Sequence, residues 1–487
     1  MNPTSIHLAI DLGASSGRVI GGVFADGKLE LEAVHRFKNG PTEIDGHLYW
    51  KFEDLWSAIV AGLKRACEKY GVENIRSIGV DTWGVDYALF DSDGEMLHAP
   101  YHYRDTRLDP MMEKVFASVP KAEIFGYTGL QFMQINTLYQ LVEEYPRVTG
   151  VDKLLMVSDV INYRLTGKMV CERTNASTTQ FYNPATHEWA TELLARLDIP
   201  SSILPDLVDP GTCLGELKPE LIEATGLAGV PVYTVASHDT GSSVVAVPAE
   251  GESFAYLSSG TWSLLGAELS EPRLGPDVLA ENFTNEVGVE KTIRLLKNIN
   301  GLWILQECRR VWNEAGESIE FPDMVVLAEA APALVSLIDP DHAAFTGVCD
   351  MPAAIAATCK EQDQPVPGDK AAMVRCVIDS LALKYRDILD RLEGLRGGDP
   401  LEVLHITGGG TQNKLLNQCV ANAVNRKVVA GPVEATAAGN VIMQMIATGV
   451  VADLSAGRAV VRASFTVETF LPQDAETWEQ AYRSFYR

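Results

Sequence analysis

Several short segments of this 487-residue chain combine residue types that can handle phosphate, a metal ion or the proton of an alcohol. In Asp11-Leu-Gly-Ala-Ser-Ser-Gly-Arg18 an apolar run ends on a carboxylate and enters a turn of Gly, Ala and Ser. Nothing larger than a hydroxymethyl blocks such a turn, so several backbone N–H groups can reach one anion. Ser258-Ser-Gly-Thr261 repeats the device in the second half. Asp11 can hold Mg²⁺ directly or through water; equally, it can start a turn and satisfy its own backbone. In His238-Asp239-Thr240 a carboxylate follows a strand-like run and precedes small residues that can begin a helix. Asp239 can accept the proton of a hydroxyl attacking a γ-phosphate, or it can serve as a helix N-cap. His238 is either a second base or sugar donor, or a structural histidine.

Gly408-Gly-Gly-Thr-Gln-Asn413 follows a strand and leads into a helix. Three glycines admit a flat or anionic ligand close to the backbone, but they match neither Gly-x-Gly-x-x-Gly nor a Gly-Lys-Ser/Thr P-loop, and a plain tight turn is the alternative. Trp83-Gly84-Val85-Asp86 and Tyr103-Arg104-Asp105-Thr106-Arg107 carry the aromatic and charged mixture found in sugar sites, as do many ordinary loops.

The elements that must position these residues read as α/β. Residues 6–35 form an antiparallel meander, 53–70 have helical spacing, and 75–80 form a strand running into Asp81. The order returns after residue 250: a hairpin over 254–268, a helix over 370–395 and a strand over 403–407. The halves look like diverged copies of one plan, with a hinge at Pro248-Ala-Glu-Gly251.

Composition narrows the function. Apolar residues make up 46% and charged residues 22%, as in ordinary globular proteins, and the length suits two large domains. The formal charge of −25 argues against nucleic acid and anionic membrane as partners. With no basic-then-apolar N-terminal stretch and no apolar run of spanning length, a cytoplasmic protein is expected. The eight cysteines show neither C-x-x-C nor metal-type spacing, so free thiols are expected.

Taken in order, the segments around Asp11, Ile78-Gly-Val-Asp-Thr-Trp-Gly-Val-Asp86, Asn136-Thr-Leu-Tyr-Gln-Leu141, Ala236-Ser-His-Asp-Thr240, Leu257-Ser-Ser-Gly-Thr-Trp-Ser263, Leu296-Lys-Asn-Ile-Asn-Gly301 and Gly408 to Asn413 resemble the FGGY family of carbohydrate kinases over essentially the whole chain. The resemblance implies two ribonuclease-H-like domains of the actin-like ATPase fold with a catalytic cleft between them. Residues 1–247 would bind sugar and 248–487 nucleotide. It further implies transfer of the ATP γ-phosphate to the 1-hydroxyl of a ketose, L-rhamnulose being the expected acceptor, with Mg²⁺ as cofactor. By the same resemblance Ala14, Ser15, Ser16, Gly17, Arg18, Thr261, Gln306 and Gly409 would contact ATP. Gly84, His238, Asp239, Thr240 and Asn298 would contact the ketose, with Asp239 as proton acceptor and Asp11 at the metal. The alternatives are a kinase for L-fuculose or another ketose, and a switch ATPase of the same fold that phosphorylates no sugar. A monomer is the default expectation.

Overall fold

Period-two alternation builds the first sheet. In β1 (Ser5–Leu12) of the computed structural model, which describes residues 4–486, Leu8, Ile10 and Leu12 join one core and Ala9 joins another on the opposite face. The first three residues, part of the stretch considered above for a leader, lie outside the described residues. β2 (Ser16–Ala25) returns antiparallel with Asp11 opposite Arg18, and β3 (Lys28–Lys38) extends the meander. β4 (Ile75–Thr82) lies parallel on the other side of β1 and runs through Asp81, which pairs in register with Asp11. It continues past the expected end at Val80 because its ladder with β1 holds to Thr82. β5 (Cys213–Glu216) and β6 (Pro231–His238) complete the order β5-β6-β4-β1-β2-β3, with β6 parallel to β4.

The two faces are covered differently. On one, the helix Phe52–Tyr70 buries Leu55, Ile59 and Leu63 with Leu8, Ile10, Ile78 and Val80. Each such side chain contributes roughly 1.5–3 kcal/mol when fully buried. The other face is lined by Ala9, Gly22 and Gly79, and this lack of bulk admits the helix Ala435–Ala447 unusually close. A Cβ at Gly22 would stand 2.6 Å from Val441, and one at Gly79 would stand 2.6 Å from Asn440 Oδ1.

By contacts the chain divides into two units. One comprises Met1–Ala246, Glu268–Leu295 and Ala435–Phe465; the other comprises Val247–Ala267, Leu296–Glu434 and Thr466–Arg487. In the second sheet β7 (Phe254–Ser259) pairs antiparallel with β8 (Trp262–Leu269) and parallel with β9 (Val403–Thr407). β9 in turn pairs parallel with β10 (Lys427–Ala430), and β11 (Glu468–Phe470) follows antiparallel. The same logic thus appears twice: a hairpin, a long helix, then a strand parallel to the first hairpin strand. In the second copy that helix is Lys370–Arg396.

Gly439 lies where the helix Ala435–Ala447 crosses the short helix Asp239–Val245, and an added Cβ there would fall on the backbone carbonyl of Ser242. Backbone cannot swing aside as a flexible side chain can. Gly439→Ala is therefore expected to cost about 2–3 kcal/mol of unfolding free energy, read as a lower urea midpoint at unchanged slope. Wild-type stability in that variant would show that the two helices can separate without penalty.

Candidate active site

Parallel sheets present their functional groups at the carboxyl ends of their strands. Asp11 and Asp81 are the penultimate residues of β1 and β4, and Asp239 follows the last residue of β6. Asp11 and Asp81 are in-register neighbours on parallel strands, so they share a face, the one lined by Ala9 and Gly79. Arg18, opposite Asp11 across the antiparallel ladder, donates from Nη2 to Asp11 Oδ2 at 2.5 Å. Asp81 is fully buried; burial first, and then the charges of Asp11 and Asp239, push its carboxyl well above the usual carboxylate range.

Asp81 is held by a hydrogen-bond chain whose donors all point one way. His7 Nδ1 meets Ser77 Oγ at 2.7 Å, and Ser77 Oγ donates to Gln444 Oε1 at 2.7 Å. Gln444 Nε2 donates to Asn440 Oδ1 at 2.7 Å, and Asn440 Nδ2 donates to Asp81 Oδ2 at 2.6 Å. Since Ser77 gives its proton to Gln444, it must accept from His7, whose ring burial holds neutral with a pKa lowered to about 4. The chain orients both amides and leaves Asp81 Oδ1 buried without a hydrogen-bond partner.

Asp239 is the first residue of the helix Asp239–Val245, with His238 in the cap position. It is therefore not the N-cap. Its Oδ1 accepts from Thr240 N at 2.6 Å, and the side chain keeps 35% of its surface accessible, enough to meet a ligand. His238 Nε2 lies 3.4 Å from Asp239 Oδ1, and Nδ1 lies 3.2 Å from Glu286 Oε2. The end of β6 is anchored by Glu172, whose buried carboxylate accepts from Ser237 N at 3.0 Å, Ser237 Oγ at 2.6 Å and Thr174 Oγ1 at 2.5 Å.

The first hairpin turn keeps Ser15 and Ser16 exposed and Ala14 half-buried, while Gly13 N donates to Ser16 O at 2.9 Å. Gly17 is buried against Phe37. Gly84 packs on Thr178, whose Oγ1 accepts from Val85 N at 3.0 Å. The neighbouring aromatic and charged residues form one buried, mutually bonded cluster. Asp86 accepts from Trp50 Nε1 at 2.6 Å, Trp83 Nε1 at 3.0 Å and Gln140 Nε2 at 3.0 Å. Burial nonetheless raises its carboxyl to about 6, against those three donors.

In the second unit the β7–β8 turn, Gly408 to Gly410 and Gln306 gather at one strand end. Gln306 Nε2 donates to Thr261 Oγ1 at 3.1 Å. A Cβ at Gly408 would stand 2.9 Å from Ser259 O, and one at Gly410 would collide with Ser259 Oγ, whereas Gly409 faces open space. The glycine at 408 also adopts φ +84, so the run is required both for conformation and for approach. Asn298 is half-buried in the strand Ile293–Asn300.

Sequence reading passed over Asp81, Asn440, Glu172, Glu286 and Arg294. Only Asp81 carried a usable signal, since Val80-Asp81-Thr82 repeats the apolar-Asp ending of Ile10-Asp11-Leu12. The others lie in unremarkable stretches and acquire partners only on folding.

Comparison with known proteins accords with this geometry. The chain matches the N-terminal domain of the FGGY family of carbohydrate kinases over residues 6–246 and the C-terminal domain over 255–448. It is 44% identical over 481 residues to a rhamnulokinase of Bacteroides thetaiotaomicron, covering 98% of each chain. To a rhamnulokinase of Bacillus subtilis it is 39% identical over 472 residues, covering 97% of this chain and 96% of that one. Its fold is that of a xylulose kinase from Lactobacillus acidophilus (TM-score 0.80, 18% identity, 99% and 97% covered). A glycerol kinase from Plasmodium falciparum is similar (TM-score 0.78, 17% identity, 99% of each chain covered). Two α/β units built on the actin-like plan, with sequence identity of this extent, make the chain a member of the FGGY family and an ATP-dependent carbohydrate kinase.

Proposed function

We propose that the acceptor is L-rhamnulose, phosphorylated on its 1-hydroxyl to give L-rhamnulose 1-phosphate and ADP. Relatives named rhamnulokinase match at 39–44% identity over nearly the full length, well above the 17–20% of the xylulose, gluconate and glycerol kinases that share the fold. The observation that carries the mechanism is Asp239, a partly accessible carboxylate just past the end of β6 and near enough to Asp81 for its charge to act on that buried carboxyl. In this reading residues 1–247 supply the sugar side and 248–487 the nucleotide side, with Asn298 completing the ketose contacts. Gly84, His238 and Thr240 orient the ketose. The exposed turn of Ala14, Ser15, Ser16, Gly17 and Arg18, with Thr261, Gln306 and the open backbone of Gly409, receives ATP.

Asp239 takes the proton of the 1-hydroxyl as its oxygen bonds to the γ-phosphorus and the bond to ADP breaks. Positioning supplies most of the rest, since a bound pair in line for transfer avoids the entropy of encounter. Mg²⁺, which the family uses with ATP, suits the residues present. Asp11 and Asp81 are offset locally by Arg18, and Asp81 Oδ1 is a buried oxygen without a hydrogen-bond partner. Among the described residues no three His, Cys, Asp or Glu side chains converge tightly enough to ligate a metal together. That matches an ion which keeps several waters and phosphate oxygens, with Asp11 holding it through water. When bound, it would neutralise charge on the phosphate oxygens. The enzyme is taken to work as a cytoplasmic monomer on small molecules, without nucleic acid or membrane; among the described residues no helix is long and apolar enough to cross a bilayer.

The assignment is tested by ADP release from Mg·ATP with L-rhamnulose, L-fuculose, L-ribulose, D-xylulose and glycerol at equal concentration. A strong preference for L-rhamnulose is expected; preference for another ketose would correct the acceptor, and turnover indifferent to sugar would replace the kinase reading with a switch ATPase. Asp239→Asn is expected to lower kcat by about 10²–10⁴-fold with an unchanged melting curve. Turnover within threefold of wild type would remove Asp239 from the role.

A further inference from the structure

The β7–β8 turn, Gly260 and Thr261 between Ser259 and Trp262, is fastened on both of its sides. On one side Leu302 N donates to Gly260 O at 3.0 Å and Trp303 N donates to Thr261 O at 3.2 Å. One turn further along the helix Trp303–Glu314, Gln306 meets Thr261. On the other side Ser263 Oγ and Tyr385 OH share a hydrogen bond of 2.7 Å, both residues being fully buried. The place of Leu302 and Trp303 is set in turn by Asn300. Its N donates to Asp341 Oδ1 at 2.9 Å, and its Nδ2 donates to Pro340 O at 3.2 Å and to Phe345 O at 3.0 Å. Asp341 Oδ2 stands 3.0 Å from Lys384 Nζ, which also donates to Asp339 Oδ1 at 2.9 Å. Gly301 lies where the two fastened segments meet, and a Cβ there would stand 2.5 Å from Ser263 Oγ.

Lys384 and Tyr385 are consecutive in the helix Lys370–Arg396, so their side chains leave it about 100° apart and reach two different segments from one rod. The Lys384 side chain is 8% exposed, between two aspartates that stay partly open to solvent. Desolvating its charge cancels much of the attraction, so net stability is a poor reason to keep it there. We propose that Lys384 and Tyr385 are positioning residues for nucleotide: Tyr385 fixes one edge of the turn through Ser263, and Lys384 fixes the other through Asp341 and Asn300. The proposal rests on the reading of Thr261 and Gln306 as ATP contacts. In this role neither side chain meets ATP. Backbone donors and a hydroxyl hold a phosphate well only when they are already in place, since ordering them at the moment of binding costs affinity. With Lys384 neutral, Asp341 loses its counter-charge, and Asn300 and the two donors after it lose their fixed reference. Without the Tyr385 hydroxyl, Ser263 loses its partner and the far edge of the turn is free to shift.

The test is the dissociation constant of the non-hydrolysable ATP analogue Mg·AMPPNP, measured by titration calorimetry on the full-length protein without sugar. Lys384→Met and Tyr385→Phe are each expected to raise it about 3–30-fold. KM for ATP should rise in step, with KM for L-rhamnulose staying within twofold of wild type. Ser263→Ala should match Tyr385→Phe, and the double variant should bind no more weakly than either single one, because both remove the same bond. Wild-type affinity in either Lys384→Met or Tyr385→Phe, whatever the melting temperature, would make the helix a purely structural support and overturn the proposal. An equal rise in both KM values would overturn it too. Tyr385→Phe decides it if Lys384→Met does not fold. The double variant Thr261→Ala with Gln306→Ala separates the two readings. Unchanged affinity there would overturn the ATP contacts and the positioning role with them; weakened affinity there, beside wild-type affinity in Tyr385→Phe, would overturn the positioning role alone.

Discussion

A carboxylate taken out of water must be paired, hydrogen-bonded or neutralised, and Asp81 imposes that demand at the centre of the first unit. It stands beside Asp11 on the next strand and within the field of Asp239, so burial and like charge act together on it. One oxygen is satisfied by Asn440, and the other remains buried without a hydrogen-bond partner. The surroundings are arranged around this condition. Small residues at Ala9, Gly22 and Gly79 open one face of the sheet, the helix Ala435–Ala447 enters the gap, and its amides deliver the one donor that Asp81 needs.

That helix explains why the first unit draws on two distant parts of the chain. Its apolar residues Val441, Ile442 and Met445 share a core with Ile20, Val235 and Val245, and its polar residues Asn440 and Gln444 carry the donor chain from His7. Apolar packing and amide orientation therefore depend on the same close approach. A helix standing even one methyl further off would leave Asp81 with both oxygens unpartnered, which is costly inside a protein.

The second unit applies the same plan to a different end. There the hairpin turn and the glycine run meet at the mouth of β7 and β9, and the crowding at Gly408 and Gly410 contrasts with open space at Gly409. Within each unit, then, the chemistry follows from which residues sit at the carboxyl ends of shared strands: acids and a guanidinium in one, bare backbone and a Thr–Gln pair in the other.

Much of this was legible in the amino-acid sequence. Alternation along residues 6–12 and the small-residue turns at 13–17 and 259–261 set the strands and hairpins, because side-chain period and turn sterics act over a few neighbours. The family motifs carry the kinase identity in the same local way, and Asp11, Asp239 and Gly409 were visible as candidates. Only tertiary structure decided that Asp239 starts the helix rather than caps it, since that depends on where β6 stops pairing. It alone joined Asn440 to Asp81 across 359 residues and Glu172 to Ser237 across 65. Glu286, likewise, meets His238 only once both are folded into one unit. Such partners share no period or spacing; they are chosen by the depth at which a small-residue face lets one element approach another, and that depth exists only after the chain has packed.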